Sequence, residues 1–149
     1  MVDLLGLSMP SVVALVLVGE IAVLVVLVLA VLMAHTHRGK NHHYLMLSAF
    51  LFDLLVLKPI MISRISENIY GSFPWDGTLI LPHAALEPVA TASGAAAIFL
   101  GFKHRIRKDG KMLMPAKGRI HRMIGAVFIV TWTLTFLLGL AIFDQFYVP

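Results

Sequence analysis

Long apolar runs alternate with short polar segments along the chain. Four of these runs, at about residues 11–34, 43–63, 79–102 and 120–143, consist mainly of Leu, Val, Ile, Ala and Phe. A helix needs about 20 such residues to cross the hydrocarbon core of a bilayer. The pattern therefore predicts an all-α integral membrane protein, a bundle of four transmembrane helices that forms a single membrane domain over residues 1–149.

The composition supports this class. The chain is 59% hydrophobic and only 13% charged, whereas an ordinary soluble domain has about 25% charged residues. The lipid bilayer is therefore the expected partner of most of the surface. The net charge of +4 resides in short segments beside the apolar runs, which favours contact with anionic lipid and argues against nucleic acid. There is no cysteine, which excludes disulfides and thiolate metal sites.

The distribution of basic residues predicts the orientation. Ten of the twelve Lys and Arg residues lie at 38–40 and 103–122, and the positive-inside rule places such segments in the cytoplasm. We therefore expect a multi-pass protein of the cell membrane with both termini outside, an N-out, C-out topology. Segment 103–119 is expected to lie along the membrane surface. No Lys or Arg precedes the first run, so we expect that run to be retained and not cleaved as a signal peptide.

Histidines occur at matched depths in two of the spans. His42 and His43 begin the second span and His121 begins the fourth, on the same side of the membrane. Imidazoles from two facing helices are typical of a bis-histidine haem b site. Four cations that would suit haem propionates lie beside these histidines in the sequence: Arg38, Lys40, Arg119 and Arg122. The alternative is that these histidines only contact lipid headgroups.

A second set of ionisable residues lies in the other half of the spans. His83 and Glu87 are four residues apart on one helix face, and Glu20 lies at a similar depth, so the three are candidate ligands of a divalent metal. The alternative is that Lys58 neutralises one of the two glutamates. Asp53 is expected to be protonated or to accept a hydrogen bond from one of three groups on the fourth span: Thr131, Trp132 or Thr133.

Three motifs occur in order along the second, third and fourth spans: His42-x-x-Leu45-Met46-Leu47-x-Ala49-Phe50, Leu79-x-x-x-His83, and His121-Arg122 followed by Trp132 and Gly139. In these motifs the chain resembles a bacterial and archaeal four-helix membrane family of unassigned function that includes a cytochrome oxidase assembly factor. It is similar, more loosely, to the b-561 group of transmembrane b-type cytochromes.

The resemblance covers about residues 41–143 and implies specific roles. It implies that His42, and not His43, pairs with His121, and that His83 is a ligand of a further site. The chain departs from the assembly-factor family at Arg64, where that family tends to have a histidine. It also lacks the additional histidine of helix four with which the b-561 group binds a second haem. The resemblance thus implies one bis-histidine site, on the cytoplasmic side.

These observations predict a membrane-embedded haem- or metal-binding protein that acts in or around a respiratory electron-transfer complex. We expect an electron-transfer or accessory component more than a stand-alone enzyme. The alternative is a cofactor-free accessory or assembly subunit, in which the small residues at 90–97 let the third span pack against a larger membrane complex or another copy of the chain.

Overall fold

The computed structural model describes residues 9–36, 39–69, 77–103, 106–108, 111–113 and 118–147. This part of the chain is essentially all helical. Its helical elements are α1 (Met9–His35), α2 (Gly39–Phe52), a π-helical segment (Asp53–Leu57), α3 (Lys58–Ile69), α4 (Gly77–Lys103) and α5 (Gly118–Tyr147). Because α2, the π-helical segment and α3 follow one another without a break, they form a single continuous helix.

Four stretches of these helices are long and apolar enough to cross a membrane: Ala14–His35, Gly39–Ser63, Thr78–Lys103 and Gly118–Asp144. Each overlaps one of the apolar runs in the sequence, and the ends differ by four residues or fewer. The prediction of four membrane-length helices is therefore confirmed.

The segment between α4 and α5 contains two short strands. Strands β1 (Ile106–Lys108) and β2 (Lys111–Leu113) pair antiparallel, with Ile106 opposite Leu113. The amphipathic segment expected here is thus partly a small hairpin. Strand β2 contacts α2, so the hairpin lies at the end of the bundle where α2 begins.

The helices pack mainly as two antiparallel pairs, α1 with α2 and α4 with α5. Further contacts join α1 to α5 and α2 to α4, which closes the bundle around one core. The buried core residues come from all four spans: Val23, Leu27, Ala30, Met46, Ala49, Phe50, Leu57, Ala90, Phe128 and Trp132. Many Leu, Val and Ile side chains outside this core are exposed, as expected for helices that face lipid.

Small residues on α4 let aromatic rings approach its backbone. A Cβ atom on Gly94 would lie 2.8 Å from the ring of Phe50 and 2.9 Å from the ring of Phe128. These two rings meet edge to face, with their centroids 6.3 Å apart. The absence of a side chain at Gly94 therefore allows α2 and α5 to pack aromatic groups over the same part of α4.

The π-helical segment changes which residues of the second span share a face. The backbone N–H of Lys58 donates to the carbonyl oxygen of Asp53, five residues earlier. In a regular α-helix, residues five apart point about 140° away from each other, whereas a π-turn brings them close to the same face. Pro59 favours the wider turn, because it has no N–H and its ring would clash with the carbonyl of Leu55 in a regular α-helix.

The close approach at Gly94 predicts a stability difference. Gly94→Ala should destabilise the protein by about 1–3 kcal/mol relative to Gly125→Ala, because overpacking displaces two aromatic rings. A Cβ atom on Gly125 meets nothing within 4 Å, and both substitutions gain the same intrinsic helix propensity. Denaturant unfolding in detergent, followed by circular dichroism, measures the difference. Equal stability of the two variants would contradict the packing described here.

Candidate functional site

Three histidines meet at one end of the bundle. His42 and His43 lie in the first turn of α2, which begins at Gly39, and His121 lies in the first turn of α5, which begins at Gly118. The ring centroid of His42 is 5.6 Å from that of His43 and 6.2 Å from that of His121, and the centroids of His43 and His121 are 6.4 Å apart. The structure thus brings together the histidines that the sequence places at matched depth.

Hydrogen bonds to neighbouring helices orient two of these rings. Nδ1 of His42 lies 2.8 Å from the carbonyl oxygen of Ala30 on α1, and Nδ1 of His121 lies 3.0 Å from that of Ala97 on α4. A carbonyl oxygen only accepts, so Nδ1 carries the proton in both rings, and the lone pair of the neutral imidazole is on Nε2. Metal-binding histidines are commonly held in this way by a backbone carbonyl.

Gly101 of α4 makes room for the imidazoles. A Cβ atom at this position would lie 2.6 Å from Cε1 of His43 and 3.3 Å from Cε1 of His121. The next residue, Phe102, stacks on the ring of His43 with a centroid distance of 5.7 Å and an interplanar angle of 27°. The end of α4 therefore packs directly against the histidines of α2 and α5. In the sequence, Gly101 follows Ala97 by four residues, a spacing of small residues that indicates close helix packing but not a contact with histidines.

A cavity of about 810 Å³ adjoins the cluster, within the range of about 300–1,000 Å³ that is usual for ligand sites. All three histidines line the cavity, as does His35 at the end of α1, and apolar side chains provide most of its remaining wall. The predicted cations Arg119 and Arg122 line it as well, and Nε of Arg122 also donates to the carbonyl oxygen of Gly118 at 3.2 Å. Lys40 is exposed, and Arg38 lies outside the described residues.

The ring separations are compatible with two imidazoles on opposite sides of a metal, although the Phe50 and Phe128 rings show a similar separation of 6.3 Å. With metal–nitrogen bonds of about 2 Å, imidazole centroids lie roughly 6.3 Å apart on opposite sides of a metal and roughly 5 Å apart in a tetrahedral site. His121 lies 6.2 and 6.4 Å from the two histidines of α2. Accordingly, no group of three or more His, Asp or Glu side chains in the described ranges is arranged to hold a single metal ion.

The second predicted cluster is organised around Lys58. Its Nζ atom forms ion pairs with Glu87 and, at 3.3 Å, with Oδ2 of Asp53. The predicted neutralisation of a glutamate by Lys58 is thus confirmed. The sequence did not predict that Asp53 pairs with Lys58. The indole of Trp132, one of the three predicted donors, does lie close to the carboxyl group of Asp53. Oδ1 of Asp53 is buried without a hydrogen-bond partner among the described residues.

The predicted metal ligands of this second cluster do not converge. Glu87 is held by Lys58, whereas Nδ1 of His83 donates to the carbonyl oxygen of Thr135 on α5 at 3.0 Å. Glu20, His83 and Glu87 are all among the described residues, in which no metal-binding group of three is found. His83 instead packs beside Gly139, where a Cβ atom would lie 3.5 Å from its ring.

Comparison of the chain with protein-family models, with curated proteins and with solved structures finds no match in any of the three. The resemblance carried by the histidine motifs therefore stays a prediction, and the candidate site rests on the geometry of this chain.

The close contacts of Gly101 give a test of the site geometry. Gly101→Ala should displace the rings of His43 and His121, because the added methyl group would overlap His43 and crowd His121. Nitrogen-15 NMR of the histidine-labelled protein in detergent should show changed signals for both rings. Gly139→Ala is the matched control, since its methyl group would touch only His83. Unchanged signals for His43 and His121 in Gly101→Ala would contradict the arrangement.

Proposed function

We propose that this chain is a membrane-embedded haem-binding protein in which His42 and His121 bind the iron of haem b. The observation that carries the proposal is the fixed tautomer of these two rings. Each is held through Nδ1 by a backbone carbonyl, beside a cavity of about 810 Å³. Their Nε2 atoms are left with a lone pair for a metal. The looser resemblance to b-type cytochromes, which rests on the motifs that contain these histidines, implies the same pair.

Other residues of the cavity suit a haem. Arg119 and Arg122 supply positive charge for propionate groups at the rim. Gly101 lets the α4 backbone lie close to His43 and His121, and apolar side chains of the wall would contact the haem macrocycle. His43, stacked on Phe102, is the third imidazole and lines the cavity without being an axial ligand in this proposal. When bound, the haem supplies reversible transfer of one electron, and burial and nearby charge set its potential.

The orientation and cellular context are part of the same proposal. Lys40 at the start of α2, Lys103 at the end of α4 and Arg119 at the start of α5 lie at the histidine end of the bundle. With the remaining basic residues of segment 103–122, this makes that end cytoplasmic and the topology N-out, C-out. We place the protein in the cell membrane, in or around a respiratory electron-transfer complex, on the strength of the family resemblance.

A second candidate function is that of an accessory or assembly subunit without a cofactor. One observation favours it: Ala84, Ala85, Ala92 and Ala95 of α4 are exposed. Small residues on a membrane helix allow another helix to approach closely. In this alternative the exposed side of α4 binds a larger membrane complex or a second copy of the chain, and the histidines stabilise the bundle.

An optical spectrum of the purified protein, oxidised and then reduced with dithionite, distinguishes the two functions. We expect the sharp reduced bands of six-coordinate b haem at about one haem per chain. His42→Ala and His121→Ala should each abolish these bands, because each substitution removes one axial ligand.

His43→Ala and His83→Ala serve as controls and should retain the six-coordinate spectrum. Circular dichroism establishes that all four variants keep their helical content. Retention of the wild-type spectrum in both His42→Ala and His121→Ala would overturn the ligand assignment. A colourless, metal-free wild-type protein that co-purifies in fixed ratio with a larger complex would favour the accessory subunit.

A further inference from the structure

The ion-pair cluster around Lys58 lies along the bundle from the proposed haem site and takes no part in it. Asp53 and Lys58 are brought to one face by the π-turn, and Glu87 reaches the same Nζ atom from α4. The side chain of Asp53 is 4% exposed, that of Lys58 is 13% exposed and that of Glu87 is 26% exposed. Of these three side chains, Glu87 is therefore the most accessible to solvent.

Glu20 of α1 belongs to the same cluster. The preceding residue, Gly19, packs directly on the π-helical segment, since a Cβ atom there would lie 2.6 Å from a methyl group of Leu57. This close approach places the Glu20 carboxyl group within electrostatic range of Asp53, Lys58 and Glu87. Carboxyl groups of three helices thus lie near one ammonium group, and two of them, Asp53 and Glu87, pair with it directly.

The charges of this cluster do not balance. Three ionised carboxylates and one lysine would carry a net charge of −2, within helices that are surrounded by lipid. Uncompensated charge is strongly disfavoured in such surroundings. Among the side chains that the structure describes, no further cation compensates these charges: His83 on α4 is turned toward Thr135, and α5 places the uncharged Trp132 beside Asp53.

Two features indicate what restores neutrality. Lys58 Nζ lies between Asp53 and Glu87, the position that a bound metal cation would otherwise take. In addition, Oδ1 of Asp53 is buried and has no hydrogen-bond partner in the described parts of the chain, which costs less when the carboxyl group is protonated than when it is ionised. Bound protons fit both features, because protons can neutralise the additional carboxylates without the coordination shell that a metal cation needs.

We propose that Glu20, Asp53, Lys58 and Glu87 form a proton-binding site within the membrane. In the neutral cluster, Lys58 and one carboxylate are charged, and the other two carboxyl groups hold exchangeable protons. Protons enter and leave by way of the two carboxyl groups that are partly exposed, Glu20 and Glu87. This site does not depend on the haem proposal, since it shares no residue with the histidine cavity.

Infrared spectroscopy of the purified full-length chain in lipid nanodiscs tests the site at neutral pH. Protonated carboxyl groups give a C=O stretching band that is separate from that of carboxylates and that shifts when water is exchanged for D₂O. Neutrality predicts about two protonated groups in the wild type, about one in Glu20→Gln and about three in Lys58→Met. Asp144→Asn, which removes an exposed carboxyl group, should match the wild type.

The two cluster variants change the band in opposite directions, so either one tests the proposal if the other does not fold, as judged by circular dichroism. A band that decreases in Glu20→Gln or increases in Lys58→Met, and that shifts in D₂O, supports the proton site. Absence of the band in the wild type, or equal intensity in all folded variants, overturns it. Loss of the wild-type band on adding Na⁺ would show that a metal cation occupies the site, which also overturns it.

Discussion

The arrangement of the histidine end depends on two hydrogen bonds from imidazoles to helix backbones. His42 of α2 is bound to Ala30 of α1, and His121 of α5 is bound to Ala97 of α4. Each bond joins the beginning of one helix to a buried part of its antiparallel partner. The same bond fixes the ring orientation and places the remaining lone pair on Nε2. One interaction thus joins the helices of each pair and orients the ring that the proposal makes a haem ligand.

Most ionisable side chains that the structure describes within the apolar spans lie in two places. At one end, histidines line a cavity that arginines border. Farther along, carboxyl groups surround a single lysine, where the π-turn aligns Asp53 with Lys58. Between the two lies an apolar core built on Phe50, Phe128 and Trp132. Because isolated ionisable groups are costly in a membrane, grouping them lets Lys58 pair with both Asp53 and Glu87.

The sequence predicts some of these features better than others. Hydropathy alone indicates the four spans, and residue counting within the spans places His42, His43 and His121 at one level. The acceptors Ala30 and Ala97 leave no signal in the sequence, because their contribution is a backbone carbonyl that every residue possesses. The pairing of Asp53 with Lys58 is hidden for a different reason, since α-helical periodicity separates the two by about 140°. Pro59 was the available signal for the π-turn.

The central claim is that a haem lies between His42 and His121. Electron paramagnetic resonance of the oxidised, haem-loaded protein in detergent tests it most directly, because the signal depends on the number and type of protein ligands that bind the iron. We predict a low-spin ferric signal of two imidazole ligands, which becomes high-spin when either histidine is replaced by alanine and is unchanged in His43→Ala. A high-spin signal in the wild type, or a low-spin signal lost only in His43→Ala, would contradict the account.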